Sequence, residues 1–284
     1  MRVVAGWACS LAFVVLAACR AEPPPTFEAD LESFRSEYAA SLVAPTGPRT
    51  AAAGLYVDAG HGLTLALRDG DAVPWSEGPP PEPWLRVDVT DAAMTCTHGC
   101  GPQAVDIEEA HTATLGRHTV LLSPQSGTLR VLVHDPARGQ GQPPVAWFAP
   151  DPRWWLVAKL QATPEAPAEP LATTRGLTKP MRPVGQLHLR LPDGGDATLT
   201  AYDAGEGHVL IPFTDPTNGE STYTVGRYLD AELVDGQATL DFNRATNPWC
   251  AYSEHYNCPV PPAGNALGMA VQAGEKVPPG SHGT

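Results

Sequence analysis

Gln186-Leu187-His188-Leu189-Arg190-Leu191, then Pro192-Asp193-Gly194-Gly195, then Ala197-Thr198-Leu199-Thr200-Ala201-Tyr202 is the stretch that decides the fold of this chain. Successive side chains of a strand point to opposite faces, so Leu187, Leu189 and Leu191 share one face and Gln186, His188 and Arg190 the other. Pro, Asp and two glycines reverse the chain, and the return run makes an antiparallel partner with one face on a core. The same grammar continues through 209–213, 223–229, 232–234 and 237–242, with Asp235-Gly236 as a two-residue hairpin signal before the last of these. Leu267, Met269, Val271 and Ala273 are read as a last alternating strand.

Upstream, 63–67, 85–89, 118–122 and 128–133 have strand patterns, with Asp69-Gly70 and Gly127 as turn signals. Trp147-Phe148 and 154–158 follow, and 163–183 then holds five prolines and little apolar content, which reads as a linker or long crossing loop. Before the strands, Phe27, Leu31, Phe34, Tyr38 and Leu42 make one helical stripe, with Thr26 in N-cap position. The fold class is therefore mostly β: two tandem antiparallel β-sandwich or barrel-like units with one short N-terminal amphipathic helix. The expected divisions are a signal peptide 1–18, a tether 19–26, the helix and first β unit 27–160, a linker 161–184, a second β unit 185–277 and a tail 278–284.

Arg2 precedes an apolar run, 3–16, too short to span a bilayer, and Leu16-Ala17-Ala18-Cys19 resembles the lipobox at which bacterial lipoproteins are acylated on the cysteine and cleaved before it. Cys19 is thus the expected lipid-attachment residue, with a palmitate-type acyl anchor in the membrane as the expected contact. Arg20 stands where an inner-membrane retention signal would place Asp, which favours the outer membrane of the bacterial envelope. The formal charge of −13 becomes −14 when 1–18, carrying Arg2 and no acid, are removed. So acidic a body repels phosphate backbones and excludes nucleic acid as a partner. With 31 Pro and 27 Gly, long helices must be few.

The densest chemistry lies in the second half. Pro212-Phe213-Thr214-Asp215-Pro216-Thr217-Asn218-Gly219-Glu220, Thr222-Tyr223, Gly226-Arg227-Tyr228-Leu229, Asp241-Phe242-Asn243, Asn247-Pro248-Trp249-Cys250-Ala251-Tyr252, Cys258-Pro259-Val260-Pro261-Pro262, Asn265 and Ala273-Gly274-Glu275-Lys276 succeed one another within a short span. Together they resemble the signature of the uncharacterised bacterial domain-of-unknown-function family 1684, densely over about 209–277 and more loosely upstream at Trp147-Phe148-Ala149-Pro150-Asp151-Pro152. The resemblance implies a mostly β protein and no established activity.

Read for their chemistry, Asp215, Thr217, Tyr223, Arg227, Tyr228, Asp241, Asn243, Asn247, Tyr252, Asn265 and Glu275 are the candidate binding residues, and 243–266 is expected to be a long ordered loop able to wall a pocket. The alternative is that these side chains satisfy turns and pack. A guanidinium in a strand-like run needs a carboxylate, so Arg227 is expected against Asp241 or Glu275. An even count of cysteines in an exported chain suggests disulfides, here Cys96 with Cys100 and Cys250 with Cys258. Metal is the alternative, since His98 lies between the first pair and His255 between the second, but the spacings match no standard zinc motif. The loop 215–220 lacks the repeated acids of a calcium loop. No Gly-x-Ser-x-Gly, His-Glu-x-x-His, Walker or dinucleotide motif is present, so no metal, cofactor or catalytic residue is assigned. The sequence thus points to an envelope lipoprotein whose second β unit binds a small ligand or envelope protein. A hydrolase using a carboxylate pair such as Asp241 and Glu275, or a purely structural protein, are the alternatives.

Overall fold

The computed structural model describes residues 22–125 and 127–281; the expected signal peptide, Cys19 and part of the tether lie outside the described residues. Helix α1, Phe27–Leu42, buries Phe27, Leu31 and Leu42 as the stripe requires. Thr26 does not cap it through a side-chain bond to the backbone; its hydroxyl donates instead to Asp30 Oδ2 at 2.7 Å. Among the described residues no helix is long and apolar enough to cross a membrane.

The first unit contains β1 (Ala51–Asp58), β2 (Gly62–Arg68), β3 (Asp71–Pro74), β4 (Trp84–Val89), β5 (Met94–His98), β6 (Val105–Asp106), β7 (His111–Leu115), β8 (His118–Gln125) and β9 (Thr128–His134). They form two sheets, ordered β1-β9-β8-β7 and β3-β2-β4-β5-β6. Val57, Leu65, Leu85, Val87, Val120, Leu122 and Val131 fill the space between them, which makes a sandwich. Asp69 and Gly70, both at positive φ, close β2 onto β3 where the sequence placed a turn.

The second unit contains β10 (Trp155–Ala162), β11 (Glu169–Ala172), β12 (Thr178–Met181), β13 (Pro183–Arg190), β14 (Asp196–Gly205), β15 (His208–Phe213), β16 (Arg227–Val234) and β17 (Gln237–Asp241). Six of these close into a barrel in the order β10-β13-β14-β15-β16-β17. Leu187 and Leu189 point inward to meet Leu199, Ile211, Leu229 and Leu240, while Gln186, His188 and Arg190 point outward. Asp235 and Gly236, again at positive φ, join β16 to β17.

Three expectations need correction. The run 154–158 does not finish the first unit, because β10 pairs with both β13 and β17 and so closes the barrel. The proline-rich stretch after it is no free linker: it holds the hairpin β11-β12, in which Pro170 faces Pro180. A two-stranded ladder tolerates proline because its edges are unpaired. The alternating set Leu267 to Ala273 is largely buried but joins no ladder.

Candidate functional site

Arg227 opens β16 opposite Phe213 and is fully buried, sharing the inward face with Leu229 and Ala231. Its Nη2 donates to Asp215 Oδ2 and to the Val271 carbonyl, both at 2.9 Å, and Nη1 donates to the carbonyls of Ala273 and Glu275. Asp215 in turn accepts from the Thr217 N–H and hydroxyl and from the Val271 N–H. This explains why the last alternating segment forms no strand: its carbonyls answer a guanidinium. Gly226 (φ +121°) permits the approach, since a Cβ there would lie 2.6 Å from the Phe213 carbonyl. Burial lowers the Arg227 pKa despite its partner. The expected partners, Asp241 and Glu275, are thus replaced by Asp215. The reason is phase: Arg227 points into the barrel, whereas Asp241 follows inward-facing Leu240 and points out.

Most other candidates are likewise internal stitches. Asn265 bonds both the N–H and C=O of Thr200 and the Pro212 carbonyl. Asn243 bonds the N–H and C=O of Asp151 and the Asp241 carboxylate. Thr217 shares a hydrogen bond with Thr222, and the Tyr228 hydroxyl donates to the Pro259 carbonyl. Tyr223 donates to Cys250 Sγ at 3.8 Å.

Cys96 and Cys100 are disulfide-bonded as expected, and His98 stacks on Trp84 at 3.6 Å instead of joining a metal site. Cys250 and Cys258 are not bridged: both are buried thiols, and Cys258 Sγ accepts from the Cys250 N–H at 3.2 Å. Asp71, His118 and Asp135 are grouped closely enough to suggest a cation. Arg117 already spans the two carboxylates, each at 2.9 Å, so the group is an ion-pair cluster.

Asn247, Tyr252 and Glu275 do converge. Gly274 (φ +81°) passes so close to the Phe242 and Ala245 carbonyls that a Cβ would lie 2.7 Å from each, and this aims Glu275 beneath the loop after Asn247. Glu275 is 1 % exposed. Its carboxyl accepts from the Asn247 N–H at 2.7 Å, from the Tyr38 hydroxyl of α1 at 3.1 Å and from the Tyr252 hydroxyl. Burial pushes it up to about 7, against the opposing pull of the Asn247 and Tyr38 bonds and of Arg49. Burial and the neighbouring Glu275 charge also push Tyr38 well up.

This buried chain of Tyr252, Glu275 and Tyr38 links the walls of two cavities. Tyr252 lines a polar pocket of about 110 Å³ with Arg49, Arg138, Gln142, Ser253, Glu254 and His255, where the sandwich meets the second unit. Tyr38 lines a second cavity, about 480 Å³, between α1 and the outside of the barrel. In the first pocket the Arg49 guanidinium lies 5.0 Å over the Tyr252 ring and donates to the Pro143 carbonyl. Burial lowers the His255 pKa against the opposing pull of Glu254, with Arg138 and Arg175 lowering it further, which leaves a neutral imidazole in the pocket at pH 7. Such a pocket suits a small oxyanion. Arg49, Arg138 and Tyr38 escape sequence reasoning because they come from the far side of the seam and carry no motif.

Asp241 and Glu275 do not act as one carboxylate pair: Asp241 accepts from Asn243 and lies 3.5 Å from Arg244, whereas Glu275 is held by the tyrosines and Asn247.

The family described as "protein of unknown function (DUF1684)" matches residues 143–276, a span that includes the barrel and Glu275. A similar solved structure is the solution NMR structure of an uncharacterized protein of Haloarcula marismortui, 36% identical, covering 46% of this chain and 75% of that one with a TM-score of 0.40. Among curated proteins none matches.

Proposed function

The chain belongs to the DUF1684 family of proteins of unknown function, and we propose that this member is a lipid-anchored envelope protein that holds a small oxyanion in the pocket between its two β units. The Arg49 guanidinium over a tyrosine whose hydroxyl is committed to a buried carboxyl, with Arg138 in the same pocket wall, supports this reading. Arg49 and Arg138 supply charge and forked donors that outnumber the one carboxylate of the lining, Glu254, and Gln142, Ser253 and His255 supply further polar groups. At about 110 Å³ the pocket takes a group the size of a phosphate or carboxylate and not a whole drug-sized ligand. The anchor reading comes from Leu16-Ala17-Ala18-Cys19.

Calorimetric titration of the full chain in detergent tests the site, with sodium phosphate against sodium chloride at equal ionic strength. One saturable site that disappears in the Arg49→Ala/Arg138→Ala protein is expected. Phosphate heats that are absent, or that survive both substitutions, would sink the reading.

A further inference from the structure

We propose that the cavity beneath α1 is a second binding site, for an organic ammonium ion. Its volume of about 480 Å³ falls within the range of small-molecule sites, and Tyr38 forms part of its wall. Phe27 and Phe34 from the helix and Trp155 from the barrel add three more aromatic rings. Asp30 faces in from α1, while Asp230, Glu232 and Asp241 face in from β16 and β17. Among the described residues of the lining, four carboxylates meet two basic groups, Arg244 and His208.

Carboxylates alone would be an ordinary solvated face. Here they border stacked aromatic surface, and that combination favours a cation that is both charged and apolar over a hydrated metal ion. The molecule already shows the preference with one of its own side chains: the Arg244 guanidinium lies 5.2 Å over the Phe34 ring and 3.5 Å from Asp241. Arg244 and Arg35 both act on Asp241, but His208 is engaged by Asp230 at 2.7 Å, and among the described residues neither Asp30 nor Glu232 forms an ion pair. Burial holds the Asp241 carboxyl above its ordinary range, against the opposing pull of Asn243, Arg244 and Arg35.

The probe is tetramethylammonium chloride, followed by saturation-transfer NMR of its methyl protons on the full chain, with sodium chloride as the ionic-strength control. Saturable transfer is expected. It should weaken about fivefold or more in Trp155→Leu, since a ring face is worth about 1 kcal/mol, and similarly in Asp30→Asn/Glu232→Gln, whose exposed positions leave the fold intact. No saturable transfer, transfer quenched equally by sodium chloride, or transfer unchanged in the exposed double variant overturns the proposal. Phosphatidylcholine vesicles added to the Cys19→Ser chain then separate two sources of the same chemistry. Co-sedimentation assigns the ammonium to a lipid headgroup, and its absence beside tetramethylammonium binding assigns it to a free solute; both uphold the site.

Discussion

Asp215 and Arg227 meet at 2.9 Å with neither side chain exposed to solvent. A pair so enclosed contributes little net stability over a well-packed apolar pair, but removing one partner strands the other. Arg227→Met is therefore expected to lower unfolding free energy by about 3 to 5 kcal/mol, read from urea denaturation at pH 7. Asp215→Asn should cost a comparable amount, because an amide whose oxygen keeps the Val271 and Thr217 bonds turns its NH2 against the Arg227 guanidinium. Wild-type midpoints in both variants would show that the guanidinium is not anchored in this way.

The Glu275 carboxyl carries a stability term of definite sign. Its folded pKa of about 7 exceeds the ordinary 4.5, so the folded state binds the proton more tightly. Stability from this group is full below about pH 4.5 and is lost as pH rises through 7, by about 3 kcal/mol in all. His134, held down to about 4 by burial, acts oppositely between about pH 4 and 6.5. The difference between wild type and Glu275→Gln isolates the carboxyl: the variant should gain on the wild type between pH 5 and 8. Parallel stability curves would contradict the raised pKa.

Phosphate affinity should track the same proton. Ionising Glu275 places a negative charge behind Tyr252, so affinity is expected to fall as pH rises past 7, against the opposite trend from phosphate's own second ionisation. Sulfate, which does not titrate there, gives the cleaner reading. Sulfate binding in the wild type should weaken severalfold between pH 6 and 8, while Glu275→Gln should bind equally at both. A pH-independent wild type would break the link between the carboxyl and the pocket.

Cys250 and Cys258 are 4 % and 7 % exposed, which shields them from exchange with solvent disulfides. The Cys258 bond and the Tyr223 hydroxyl lower the Cys250 pKa, while the Cys258 thiol is pushed up. Iodoacetamide is expected to modify neither in the native protein and both after denaturation without reductant, as mass mapping would report. A bridged peptide recovered without reduction would restore the disulfide expected from the even cysteine count.

Cys19→Ser is expected to release the protein from membranes after a salt wash, because the acyl chains are the expected membrane contact of an acidic body. Continued sedimentation with the membrane fraction would refute the anchor.

Legibility in the sequence tracks short periods. The hairpin of β13 and β14, with Arg190 opposite Asp196, and the turn at Asp235-Gly236 come from alternation and positive-φ residues a few positions apart. Helix α1 comes from one stripe. The features that escape depend on long-range closure: β10 looks like any apolar run until it pairs with β17 from the other end of the unit. Arg227 is recognisable as needing a carboxylate, but its inward phase hides in a run where Tyr223 to Gly226 is a turn and the strand begins only at residue 227. Asn247, Tyr252 and Glu275 stand out as candidates, yet nothing in their spacing shows that Tyr38, Arg49 and Arg138 complete their surroundings from the opposite side of the seam.

Arg227 takes its carbonyl partners from 44, 46 and 48 residues further along the chain. A polypeptide made from its N-terminus therefore presents that guanidinium long before the groups that answer it exist. Until residues 271–275 emerge, Asp215 and the Phe213 ring are the partners that the preceding sequence supplies among the described residues. Glu275 arrives in the same late segment, so the barrel's interior and the buried relay between the two cavities are finished in one step. Limited proteolysis of chains ending before residue 271 should find the sandwich protected and the loop carrying Tyr252 cleaved.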